Sequence, residues 1–95
     1  MELIGRKRLD DFKAKYGDAK SQIDAFCAEV EEALWETSMD IKKRYPHASF
    51  LADNRVIFNI KGNQYRLETK ISYRNKIVYI KRIGTHAEYS KWSFE

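Results

Sequence analysis

Long apolar runs, disulfide partners and chain breakers are what this sequence lacks. It has one cysteine, Cys27, in 95 residues, which rules out an internal disulfide framework. With Phe26 and Val30 beside it, Cys27 reads as a core residue. No apolar stretch approaches the roughly 20 residues of a membrane span. Met1 to Leu9 is basic without an apolar segment, so no secretory leader is expected. These absences point to a reducing, cytoplasmic setting with no membrane partner. Proline occurs once and glycine four times, and there is no Gly/Ser linker, repeat or low-complexity tract. The expectation is one domain over residues 1–95. The two histidines, His47 and His86, have no cysteine or carboxylate cluster at ligand spacing, so nothing supports a zinc site. A glycine-rich phosphate loop and a serine-nucleophile motif are also missing.

Positive charge is present, and it is one-sided. The net charge is +4. Residues 1–50 carry nine Lys/Arg against ten Asp/Glu, and residues 51–95 carry nine against four. A basic C-terminal half favours a polyanion partner, of which nucleic acid is the commonest. With 43% apolar residues, the chain can also bury a core.

Periodicity divides the chain in the same place. Leu3 and Ile4 read as a short strand before Gly5. Leu9, Phe12 and Tyr16 mark one face of a short helix ending at Gly17. Asp18 is placed as the cap of the next helix. There Ile23, Phe26, Cys27, Val30 and Leu34 share a face, and the helix ends near Trp35. Ser38 is expected to cap a third helix running to Arg44, stopped by Pro46. From Phe50 the period becomes two. Val56, Phe58 and Ile60 alternate with Arg55, Ile57 and Asn59, and Lys61-Gly62-Asn63 turns the chain. On the returning strand Tyr65, Leu67, Thr69, Ile71 and Tyr73 form one face, with Arg66, Glu68, Lys70 and Ser72 on the other. Arg74-Asn75 turns again into a strand from Ile77 to Ile83, flanked by Gly84. Thr85-His86-Ala87-Glu88 fits a capping box opening a short last helix. The fold class is therefore α+β: helices on one face of a small, mainly antiparallel sheet, with the other face left for function.

The stretches Phe58-Asn59-Ile60-Lys61-Gly62-Asn63-Gln64-Tyr65-Arg66-Leu67 and Gly84-Thr85-His86-Ala87-Glu88-Tyr89 resemble the HigB toxins of type II toxin–antitoxin systems, distant relatives of the RelE endoribonucleases. Ala33-Leu34-Trp35, Asp40-Ile41-Lys42 and Tyr45-Pro46 extend the likeness over nearly the whole chain. The resemblance implies a RelE-like fold and cleavage of mRNA, in much of the family on the translating ribosome. It also implies silencing by a helix-turn-helix antitoxin of the HigA type, with no metal or cofactor. Arg82 departs from the pattern, standing where many relatives have an apolar residue.

Metal-independent RNA cleavage needs a base for the ribose 2′-OH, an acid for the leaving 5′-oxygen, and cations for the charge on the phosphate. His86 is the best proton-transfer group, because histidine changes protonation near neutral pH. Its place at a helix start would put free backbone N–H groups beside a phosphate. Tyr89, three residues on, could stack on a base or supply a phenol. Arg66 is the better phosphate clamp, since its guanidinium fork can hold two oxygens. Lys70 follows on the same face, and Lys61 and Lys81 are lesser candidates for RNA contact. Asn59 and Asn63 read as turn-shaping residues and His47 as an ordinary loop residue. A rival reading keeps the cations as phosphate contacts in a non-catalytic RNA-binding or ribosome-associated module, where His86 is dispensable.

Overall fold

The computed structural model describes residues 1–92. Its elements run β1 (Glu2–Ile4), α1 (Arg6–Lys15), α2 (Lys20–Glu32), α3 (Ser38–Arg44), β2 (Ser49–Leu51), β3 (Arg55–Ile60), β4 (Tyr65–Ser72), β5 (Ile77–Thr85) and α4 (His86–Tyr89). The strands form one sheet in the order β1-β5-β4-β3-β2, antiparallel except for β1, which runs parallel to β5. β2 is three residues long and was not anticipated as a strand, being too short for a period-two pattern to register. Among the described residues no helix is long and apolar enough to cross a membrane.

Apolar spacing decides what each helix buries. Leu9 and Phe12 of α1 and Ile23, Phe26, Cys27 and Val30 of α2 enter the core, as their spacing predicts. Burying an aliphatic or aromatic side chain of this size contributes about 1.5–3 kcal/mol. The thiol of Cys27 is held up from its ordinary value by burial, which fits a packed rather than reactive cysteine. Against these helices lie Val56, Phe58, Ile60, Tyr65, Leu67, Ile71, Val78 and Ile80 of the sheet. The centre is aromatic: Phe58 meets Phe26, Tyr45 and Trp35 at ring-centroid distances of 4.9, 5.1 and 6.4 Å. Gly5 joins β1 to α1 at φ 92°, and a Cβ there would lie 2.8 Å from the Ile80 carbonyl oxygen. Only glycine fits.

Three helix ends differ from the sequence expectation. Asp18 does not cap α2; it lies in a 3₁₀ turn (Gly17–Ala19), and Ala19 holds the cap position. Its carboxylate instead accepts from Lys61 Nζ at 2.9 Å and from the Tyr65 hydroxyl at 2.7 Å, tying the β3–β4 turn to the helical layer. α2 stops at Glu32 because Ala33 is extended (ψ 150°), so Leu34 is 78% exposed and off the core face. Trp35 reaches the core through a loop. α3 is capped at Thr37, not Ser38, and the Asp40 carboxylate accepts from the Glu36 and Thr37 amides at 2.9 and 3.1 Å.

The sheet also contains a bulge. Glu68 pairs with Arg82 but Thr69 pairs with Ile80, leaving Lys81 as an extra residue in β5. Plain alternation would put Arg82 on the face of Val78 and Ile80. The extra residue reverses this, sending Ile83 toward the core and Arg82 to the opposite face.

Acid should loosen this fold. Asp24 is held down at about 2 by hydrogen bonds from Lys13 and then Lys20. Asp18 is lowered by Lys61 and Tyr65, Asp40 by the Glu36 and Thr37 amides, and Glu88 by the Thr85 amide. Each carboxyl binds a proton less readily folded than unfolded, so its contribution is complete above the ordinary carboxylate range and is lost as pH falls. The melting temperature is expected to be flat from pH 7 to about 5 and to fall steadily from about pH 4 to 2. A flat profile down to pH 2.5 would contradict these assignments.

Candidate functional site

The helices cover one face of the sheet, and the register fixes what the other presents. Three cross-strand rows face away from the helices: Asn59–Arg66–Gly84, Ile57–Glu68–Arg82 and Arg55–Lys70–Tyr79. The middle row is packed. Ile57 is fully buried and Glu68 is 5% exposed. A buried carboxylate requires partners, and Glu68 has two: it accepts from Arg82 Nε at 2.5 Å and lies 4.0 Å from Arg55 Nη1. The face thus carries Arg55, Arg66, Lys70 and Arg82 against one carboxylate. Arg82, so placed, has a defined role in holding Glu68 and lying 4.4 Å over the Trp92 ring.

The closing helix folds back over this face at the Arg66 end. Gly84, in the same row as Arg66, provides the room: a Cβ there would meet the Trp92 ring at 3.0 Å and Glu88 at 3.2 Å. The capping box forms as the sequence predicts, with Thr85 N donating to Glu88 Oε1 at 2.8 Å and Glu88 N donating to Thr85 Oγ1 at 3.2 Å. His86 N donates to the Gln64 carbonyl at 2.9 Å, fastening the helix start to the β3–β4 turn. These bonds consume the amides of Thr85, His86 and Glu88. The cradle of free backbone N–H groups expected at the helix start therefore loses the His86 and Glu88 amides, and side chains become the main hold on an anion there.

Those side chains converge on Tyr89. The Arg66 guanidinium lies over the Tyr89 ring at 4.8 Å, and the His86 ring stands edge-on to it at 6.3 Å. Arg66 also donates from Nη2 to Asn63 Oδ1 at 3.1 Å. An exposed imidazole, a phenol and a guanidinium thus lie together, brought from a helix and a strand 20 residues apart in sequence. The chemistry available is proton transfer at an oxyanion beside a two-pronged cation. Beside Arg66, toward the α3–β2 loop, opens a cavity of about 730 Å³ walled by Tyr45, His47, Asn59 and Asn63.

The family described as HigB toxin, the RelE-like toxic component of a toxin–antitoxin system, matches residues 19–92. This chain belongs to that family. It is 26% identical over 91 residues to the mRNA interferase toxin HigB of Escherichia coli K12, covering 94% of this chain and 88% of the relative. The mRNA interferase HigB of Escherichia coli O157:H7 matches to the same extent. That of Escherichia coli O6:H1 is 24% identical over 93 residues, covering 96% and 90%. The α+β architecture with its short closing helix fits the RelE-like fold that the motifs imply.

In this HigB-family toxin, Arg66, His86 and Tyr89 come together and the lysines do not join them. Lys70 is exposed on the same face but separated from Arg66 by Glu68. Lys81 is the exposed bulge residue of β5. Lys61, a lesser candidate for RNA contact, is ion-paired with Asp18 of the helical layer. His47 and Asn59, read from sequence as loop and turn residues, line the cavity beside Arg66. Their signal in the sequence is slight, because His47 lies outside the quoted motifs, Asn59 reads as turn-shaping within one of them, and the fold brings both to Arg66.

Proposed function

We propose that this toxin cleaves messenger RNA at the cluster of His86, Tyr89 and Arg66. One observation carries the reading: the imidazole and guanidinium flank a single tyrosine ring on a cationic face, 6.3 and 4.8 Å from its centroid. The naming of the curated relatives as mRNA interferases supports the same substrate. In the reaction the ribose 2′-oxygen attacks the adjacent phosphorus, the bond to the 5′-oxygen breaks, and a 2′,3′-cyclic phosphate and a 5′-hydroxyl result. Arg66 holds two non-bridging oxygens as charge builds on them. His86 carries out proton transfer at the reacting oxygens. Tyr89 keeps the two groups in register and offers its ring to a base. Lys70 extends the cationic track along the sheet. The substrate is presented on the translating ribosome, and a helix-turn-helix antitoxin of the HigA type silences the toxin.

Inducing the wild-type chain in a bacterial host and mapping transcript 5′ ends tests this directly. New 5′-hydroxyl ends within minutes of induction are expected. Slowed growth with intact transcripts would favour the rival, a basic RNA-binding or ribosome-associated module.

Gly84 offers a separate test of the positioning. A Gly84→Ala methyl would force Trp92 and Glu88 away and shift α4 by some tenths of an ångström. Small misplacements are costly to catalysis, and a roughly tenfold slower transcript loss is expected while the circular dichroism spectrum stays that of wild type. Wild-type activity would mean that α4 need not sit where it does.

A further inference from the structure

A single helical turn does not hold itself, because it forms too few hydrogen bonds to offset the ordering of its backbone. α4 is only His86–Tyr89, yet it carries both the imidazole and the phenol of the cluster. Its start is fastened by the capping box and by the bond from His86 N to Gln64. Beyond its far end comes Trp92, whose ring packs at Gly84 and stands edge-on to Tyr89 at a centroid distance of 5.5 Å. Over the Trp92 ring, at 4.4 Å, lies the Arg82 guanidinium. Arg82 and Gly84 are two residues apart on β5 and so share the open face. Arg82 is aimed in turn by Glu68, its direct partner in register, which accepts from Nε at 2.5 Å.

We propose that Arg82 is a positioning residue: pinned by Glu68, it sets Trp92, and Trp92 sets Tyr89 against Arg66. The proposal rests on the mRNA-cleavage reading, since what it positions is the cluster of that reading. The stack runs Arg82, Trp92, Tyr89, Arg66, with steps of 4.4, 5.5 and 4.8 Å. At each end a guanidinium lies on an aromatic face. The middle step is an edge-on pair at 75°, an arrangement with a preferred geometry. Stability is a poor reason for such a construction. Glu68 is 5% exposed, and a buried ion pair gives little net stability over a well-packed apolar pair of similar size. What the pair does supply is direction, because it fixes the plane of the guanidinium lying on Trp92. The bulge at Lys81 serves the same end, since it is what turns Arg82 to this face. Arg82 is also where the chain departs from the family pattern, which makes the brace a feature of this chain.

Three variants decide the matter: Arg82→Met, Glu68→Gln/Arg82→Met and Arg82→Lys. Arg82→Met leaves the buried Glu68 carboxylate only the more distant Arg55 among its two ion-pair partners. It should melt about 10 °C lower and degrade transcripts about 10- to 100-fold more slowly. The double variant neutralises the carboxylate, so its melting temperature should return to within about 4 °C of wild type while cleavage stays slow. A rate that recovers together with the melting temperature would reduce Arg82 to a stabilising role and overturn the proposal. Should the double variant fail to fold, Arg82→Lys takes its place. Its ammonium keeps Glu68 paired but lacks the flat guanidinium, so severalfold slower cleavage at the wild-type melting temperature is expected; unchanged cleavage would be the contradiction. Nuclear magnetic resonance of the purified chains reads the geometry apart from activity. In Arg82→Met the ring signals of both Trp92 and Tyr89 should move while those of the buried Trp35 stay. A shift confined to Trp92 would end the brace there and also overturn the proposal. Absence of cuts from wild type would instead sink the cleavage reading, and the ring signals would still decide whether Arg82 sets Tyr89.

Discussion

An Arg66→Ala variant is expected to degrade transcripts about 100- to 1,000-fold more slowly than wild type, the usual loss when one oxyanion contact is removed from a preorganised site. The geometry gives the reason. With the backbone amides of Thr85, His86 and Glu88 committed to the capping box and to Gln64, Arg66 is the cation that lies against both Tyr89 and the cavity. Loss of folding would not account for the result. Arg66 contributes one stacking contact and one hydrogen bond to Asn63, each worth about 1 kcal/mol, so the melting temperature should fall by about 10 °C at roughly 4–8 °C per kcal/mol, and the variant should remain folded. Arg66→Lys separates charge from shape. Lysine keeps the charge but not the fork, and a rate well below wild type is expected from it too. Full activity in either variant would remove Arg66 from the reaction.

His86→Ala is expected to cost about 100- to 10,000-fold, the range for a positioned general acid or base. The imidazole is exposed and stands edge-on to the Tyr89 ring, so its removal should barely change stability. The backbone at this position keeps its bond to Gln64 whatever the side chain. Growth arrest and transcript loss should therefore disappear together while the soluble yield of the protein rises, because the host is no longer poisoned. Equal toxicity from His86→Ala and wild type would favour the non-catalytic module, in which Arg66 and Lys70 still hold RNA.

Much of this site was legible in the sequence because local rules happened to govern it. The alternation around Arg66 put its side chain opposite Tyr65 and Leu67, and the spacing of Thr85 and Glu88 announced the capping box. Long-range contacts were not readable in that way. Asp18 had the right residue type and place for a helix cap, yet it is drawn off by Lys61 and Tyr65, more than 40 residues away in sequence. The same contact engages Lys61 in an ion pair on the helical side. Leu34 continued the apolar spacing of α2, but the helix had already ended at Glu32. Arg82 looked anomalous until the bulge at Lys81 turned it toward Glu68. His47 lies outside the motifs and Asn59 reads as a turn residue within one; the pairing of β3 with β4 sets Asn59 opposite Arg66, and the Asn59 side chain holds the His47 carbonyl.

The central claim is that the imidazole of His86 and the guanidinium of Arg66 act on one phosphate, and a double-mutant cycle on transcript cleavage measures that coupling directly. Residues that act as a unit are strongly non-additive, so the Arg66→Ala/His86→Ala double variant should be scarcely slower than the worse single variant. Losses that simply multiply would place the two groups in separate functions and contradict the account.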